Sequence, residues 1–95
     1  MADTHDRKRC EIYYSGRVQG VGFRYTVRSI ALHFEVTGFV KNLPDGRVQL
    51  VAEGLAEEIR RFLEAIAAEM GPYIGDTQRT SGPASGRFSD FGIRF

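Results

Sequence analysis

Between Tyr14 and Arg24 the chain reads Tyr-Ser-Gly-Arg-Val-Gln-Gly-Val-Gly-Phe-Arg, three glycines within seven residues followed almost at once by an arginine. Glycine lets main-chain N–H groups approach an anion with no Cβ in the way, and the first turn of a helix offers amides that lack an intrahelical partner. A guanidinium beside them makes a cradle for a tetrahedral oxyanion. The stretch from Tyr14 to Arg24 therefore points to a small phosphorylated ligand, held by loop amides and the Arg24 guanidinium. Arg17 is a possible second positive charge, unless its side chain turns to solvent. A glycine-rich turn can also be purely structural, and an arginine at a helix start usually pairs with an acid or faces water. A cation there gains nothing from the helix dipole, however, and that mismatch favours a functional role. The glycines at 16, 20 and 22 lack the Gly-Lys-Ser/Thr ending of a P-loop and the spacing of a dinucleotide fingerprint, which disfavours nucleotide binding.

The elements that must position this cradle are legible in the apolar periodicity. Cys10, Ile12 and Tyr14 alternate with Glu11 and Tyr13, the period of a half-buried strand that ends at the glycine turn. Phe23, Val27, Ile30, Ala31 and Phe34 form one stripe at three- and four-residue spacing, predicting a helix over 23–34. His33 lies about two turns from the loop, beyond ~10 Å at 1.5 Å per residue, and is expected on the surface. Val36 to Asn42 and Arg47 to Glu53 read as strands of a hairpin closed by Leu43-Pro44-Asp45-Gly46. Taken alone, Asn42 is a turn lead-in. A second helical stripe runs from Leu55 to Met70, with Glu57–Arg61 and Arg60–Glu64 as expected surface pairs, and Gly71-Pro72 stops it. Ile74 to Thr80 is a weak, polar strand candidate, Ser81 to Ser89 is loop-like, and Phe91, Ile93 and Phe95 alternate again. The polar run is expected to specify its register weakly and to leave a mobile sheet edge. The order βαββαβ implies an α+β fold, the ferredoxin-like split βαβ sandwich, with an antiparallel sheet and two helices on one face.

Composition narrows the setting. At 95 residues with 42% hydrophobic content the chain suits one domain, expected over 9–95, with residues 1–8 as a flexible polar tail. A net charge of +1 gives no global attraction to nucleic acid or an anionic membrane, so affinity for phosphate must be local. The single cysteine, Cys10, excludes an internal disulfide and any multi-cysteine metal site. With no apolar segment of membrane-spanning length, a cytoplasmic monomer is the expectation.

Two separated stretches, Gly16-Arg17-Val18-Gln19-Gly20-Val21-Gly22-Phe23-Arg24 and Gly38-Phe39-Val40-Lys41-Asn42-Leu43-Pro44-Asp45-Gly46-Arg47-Val48, occur in an order and at a separation that closely resemble the acylphosphatases. The resemblance runs from about Arg9 to the C-terminus. It implies hydrolysis of the carboxyl-phosphate bond of acyl phosphates, with no metal and no organic cofactor. Position by position, Arg24 matches the family's phosphate-binding arginine, Asn42 its water-orienting asparagine, and Gly16 to Val21 its phosphate loop. Tyr14 departs from the family's usual branched aliphatic, and the polar stretch Gly75 to Thr80 is a second departure.

The chemistry agrees with the residues present. A carboxylate leaving group, whose conjugate acid has a pKa of about 4, departs at neutral pH without a general acid. Charge neutralisation and in-line placement of water are what remain to be supplied. RNA-recognition modules share the βαββαβ order, but the strand Arg47 to Glu53 has no aromatic residue on which a base could stack. The chain also resembles the acylphosphatase module that precedes cysteine-rich zinc regions in larger carbamoyl-transfer proteins; with one cysteine here, a free-standing enzyme is the expectation.

Overall fold

Alternation along Cys10, Ile12 and Tyr14 puts three buried side chains on one face of β1 (Arg7–Gly16), and that face is where both helices pack. The computed structural model describes residues 6–95. The elements that follow are α1 (Phe23–Ala31), β2 (Val36–Asn42), β3 (Val48–Leu55), α2 (Ala56–Met70), β4 (Ile74–Pro83) and β5 (Phe91–Arg94). The strand order is β4-β1-β3-β2-β5. Four of these strands form the expected antiparallel sheet. The short closing strand adds a fifth, and it runs parallel to β2, so the sheet is mixed.

The core lies between this sheet and the two helices. Phe23, Val27 and Ala31 of α1 and Ile59, Phe62, Ile66 and Met70 of α2 meet Ile12, Val40, Leu50 and Ala52 of the sheet. Removing water from this much apolar surface is the main driving force for the fold. α1 stops three residues before the expected Phe34, because His33 and Phe34 donate to Ile30 and Ala31 in a tighter turn. Phe34 still packs on Phe62, with ring centroids 6.0 Å apart. On α2, Arg60 binds both Glu57 and Glu64, leaving Arg61 to pair with Glu58 rather than with Glu57 as expected.

The N-terminal boundary also differs from expectation. Arg7 and Lys8, assigned by the sequence reading to the tail, belong to β1 and pair with Leu55 and Gly54; of the remaining tail, residues 1–5 lie outside the described residues. β4 extends to Pro83, past the expected Thr80, and pairs with β1 along its length although most of its residues are exposed. β1 dictates that register. The main-chain bonds Arg17 N to Tyr73 O, 2.9 Å, and Ala84 N to Arg7 O, 3.3 Å, tie the two ends.

On the face turned from the helices one charged residue among those described is buried. Glu53 accepts bonds from Ser85 N at 2.9 Å, Ser85 Oγ at 2.7 Å and Gly86 N at 3.0 Å, with Arg9 Nη1 at 3.4 Å, and so pins the segment after β4 over the sheet. Burial alone would push this carboxyl up; the bonds from Ser85, Gly86 and Arg9 outweigh it and hold the group below its ordinary 4.5. A pKa lower in the folded than in the unfolded chain means stability that is present above the unfolded value and lost as pH falls through the folded one. Glu53→Gln is therefore expected to cost about 1–3 kcal/mol at neutral pH, with the gap to the parent closing in acid. Urea midpoints across the acid range check this. A gap that ignores pH would remove the ionised carboxylate from the account.

Candidate active site

The cradle begins where β1 leaves the sheet. Gly16 has φ +118°, and a Cβ there would come 2.5 Å from Gly75 N and 2.8 Å from Tyr73 O, so only glycine permits this crossing. Val18 then turns fully into the core. Gln19 turns the other way: its Nε2 donates to Leu43 O at 2.8 Å and Arg47 O at 2.9 Å, bracing the loop against the β2–β3 hairpin. Gly22, at φ +77°, is the N-cap of α1 and accepts the bond from Thr26 N at 3.0 Å. Phe23 tilts against Tyr14 with ring centroids 5.2 Å apart, which fixes the helix start over the end of β1. The amides of that first turn have no intrahelical acceptor, and no acidic residue occupies it.

Asn42 arrives from the other side. Val36, Gly38, Val40 and Asn42 share the helix-facing side of β2, and Asn42 is the last of that row. The hairpin that Gln19 braces holds it there: Leu43 N donates to Arg47 O at 2.8 Å and Gly46 N to Leu43 O at 3.1 Å. The result is a small cavity of ≈110 Å³ lined by Val18, Gly20, Gly22, Phe23, Arg24, Tyr25 and Asn42. Among the described residues no carboxylate lines it. Larger hollows of ≈470 and ≈570 Å³ lie elsewhere, but neither combines the loop glycines with Arg24 and Asn42.

Arg24 is half-buried and held from behind. Its Nη1 donates to Arg94 O at 3.4 Å and its guanidinium stands 4.8 Å from the Phe95 ring centroid. Across the cavity, Asn42 Oδ1 is buried with no hydrogen-bond partner among the described residues. A buried amide oxygen without a donor of any kind would cost about 1–3 kcal/mol, so this acceptor is available to a partner from outside the fold.

Of the residues the sequence singled out, Val18, Gly20, Arg24 and Asn42 meet at this cavity. The rest do not line it. Gly16 makes the chain crossing, Arg17 is exposed and contributes its main-chain N–H to Tyr73, Gln19 braces the hairpin, and Val21 packs against the core. Gly22, Phe23 and Tyr25 line the cavity without having been named for it. Tyr25 carried a signal, since it follows Arg24 and falls off the apolar stripe of α1, leaving it 58% exposed. The Arg94 carbonyl and Phe95 had none, lying 70 and 71 positions from Arg24.

Among the described residues no group of three or more His, Cys, Asp or Glu side chains is placed to hold a metal. Nor is any described helix long and apolar enough to cross a membrane.

Known proteins resemble this chain in sequence and in fold. The acylphosphatase family model matches residues 10–93. A 56-residue segment is 54% identical to the acylphosphatase of Archaeoglobus fulgidus, covering 59% of this chain and 63% of that protein. The chain thus spans about three fifths of the length of such curated relatives. The crystal structure of acylphosphatase from Bacillus subtilis superposes with a TM-score of 0.83 at 35% identity, over 93% of this chain and 99% of that one. T. kodakarensis HypF aligns at 33% identity and a TM-score of 0.79, over 93% of this chain but only 12% of that much longer one. With a family model matching residues 10–93 and a solved relative that superposes over 93% of the chain, this protein belongs to the acylphosphatase family.

Proposed function

We propose that this protein is a metal-independent acylphosphatase, hydrolysing the carboxyl-phosphate bond of small acyl phosphates as a cytoplasmic monomer. The observation that carries the reading is that Asn42, whose buried Oδ1 has no hydrogen-bond partner among the described residues, lines the same ≈110 Å³ cavity as Arg24, Gly20 and Gly22. Arg24, with main-chain amides of the part of the loop that lines the cavity, around Gly20 and Gly22, and of the first helical turn, neutralises the phosphoryl oxygens, where charge is spread as the P–O bond to the acyl group stretches. Asn42 cannot take a proton near neutral pH, but its Oδ1 accepts a hydrogen bond from water and so aims the attacking oxygen at phosphorus, in line with the departing carboxylate. The P–O(acyl) bond breaks, the electron pair leaves with the carboxylate, and the water proton passes to a phosphate oxygen. No side chain needs to protonate a leaving group this weakly basic.

The cavity's size supports the substrate class. At ≈110 Å³ it is well below the ~300–1,000 Å³ typical of pockets that enclose an organic ligand, so phosphate is gripped while the acyl part projects past Tyr25. Substrate ranking is then set more by the acidity of the departing acid than by its shape. Release of inorganic phosphate from a simple aromatic acyl phosphate, with a chelator present, tests both halves of the reading. Turnover undiminished by the chelator is the expected result; hydrolysis that requires an added divalent metal, or none at all, would overturn it.

A further inference from the structure

The face of the sheet turned away from the helices holds a second concentration of positive charge. Pleating brings Arg9 of β1 and Arg94 of β5 to that face, and the segment pinned by Glu53 lays Arg87 and Phe88 over it. With Phe39 and Ser85 they line a cleft of ≈570 Å³. The Arg94 guanidinium lies 4.0 Å from the Phe39 ring centroid and 5.7 Å from that of Phe88. Three guanidinium groups thus surround one opening in a chain whose net charge is only +1.

Among the described residues no carboxylate lines that cleft. Glu53, paired with Arg9, already accepts three further bonds from Ser85 and Gly86. Asp90 lines the adjoining hollow, and among the described residues neither Arg87 nor Arg94 forms an ion pair with it. Arg9 has Glu53 as its counter-charge, but holding Arg87 and Arg94 together beside it is unfavourable unless an anion offsets them.

We propose that this cleft binds a small, multiply charged oxyanion, carrying several phosphate or carboxylate groups, at a site separate from the Arg24 cavity. A guanidinium stacked on an aromatic ring keeps its in-plane N–H donors free and has already lost rotamer freedom, so Arg94 is organised for carboxylate or phosphate oxygens before the ligand arrives. The volume suits more than a single small ion, since one water's share of the liquid is only about 30 Å³. Single-stranded RNA fits less well. Stacking needs bare aromatic faces, whereas Phe39 lies under Arg94 and is 8% exposed, and the Tyr13 ring on the same side carries Arg47 at 4.7 Å.

The test uses the full chain carrying Arg24→Ala, which removes the anchor of the other anion site. Tripolyphosphate and citrate are titrated separately at low salt, read by calorimetry and by backbone amide shifts. At least one is expected to bind and to move the amides of Gly86 to Asp90 and of Arg94, identifying phosphate or carboxylate as the favoured group. Adding Arg87→Ala, at an exposed position, is expected to weaken that binding about tenfold or more. The proposal is overturned if neither anion binds the Arg24→Ala protein, if Arg87→Ala leaves affinity unchanged, or if a short oligouridylate binds more tightly than either anion. No hydrolysis is read, so the outcome is independent of the reaction proposed above.

Discussion

Arg24→Ala is expected to lower kcat/KM for an acyl phosphate by at least about 10²–10³ and to weaken competitive inhibition by inorganic phosphate as well. The guanidinium stands at the first turn of α1, where the chain places no acid, so its removal leaves the phosphoryl oxygens only main-chain donors. Both ground-state binding and the transition state then lose the same positive charge. Arg24→Lys is expected to recover little, because an ammonium cannot reproduce a planar fork that touches the Arg94 carbonyl and Phe95 on one side and faces the cavity on the other. Steady-state kinetics with phosphate as inhibitor give both numbers, and circular dichroism confirms that the half-buried position tolerates the change. Unaltered kcat/KM in Arg24→Ala would remove this residue from the mechanism.

Asn42→Ala separates the two halves of catalysis. Turnover is expected to fall by about 10²–10³, the usual cost of one preorganised polar group, while the phosphate inhibition constant changes by no more than about threefold. Stability is expected to change little. Asn42 Oδ1 has no hydrogen-bond partner among the described residues, so an alanine breaks no protein–protein bond at that atom and leaves only a small void. The variant is thus expected to unfold close to the temperature of the parent. A variant that hydrolyses at the parental rate, or one that binds phosphate as poorly as Arg24→Ala, would rule out a water-orienting role.

Much of this was visible in the residues because short-range patterns carry it. The 3.6 and 2 periodicities located both helices and the first three strands, and the two glycine-bearing stretches drew attention to Arg24 and Asn42. What escaped depends on distant pairing. The direction of β5 is set by its partner β2, and nothing in Phe91–Arg94 itself distinguishes a parallel from an antiparallel neighbour. β4 carries almost no apolar alternation, so its extent is set by the ladder it makes with β1. Gln19 shows a different limit. Its place in the loop suggested contact with phosphate, yet a side-chain amide with two donors is equally suited to two carbonyls, and the hairpin turn supplies them. The Glu53 carboxylate, likewise, looked like one more polar position in a strand until the loop after β4 closed over it.

The outer rim of β4 has one further consequence. From Gly75 to Gly82 it presents glycine, serine, threonine, glutamine, aspartate and arginine to both faces, so a foreign strand docking there would gain main-chain hydrogen bonds and bury almost no hydrocarbon. A long open margin that would ordinarily seed self-association is thereby kept unattractive to other chains by its composition alone.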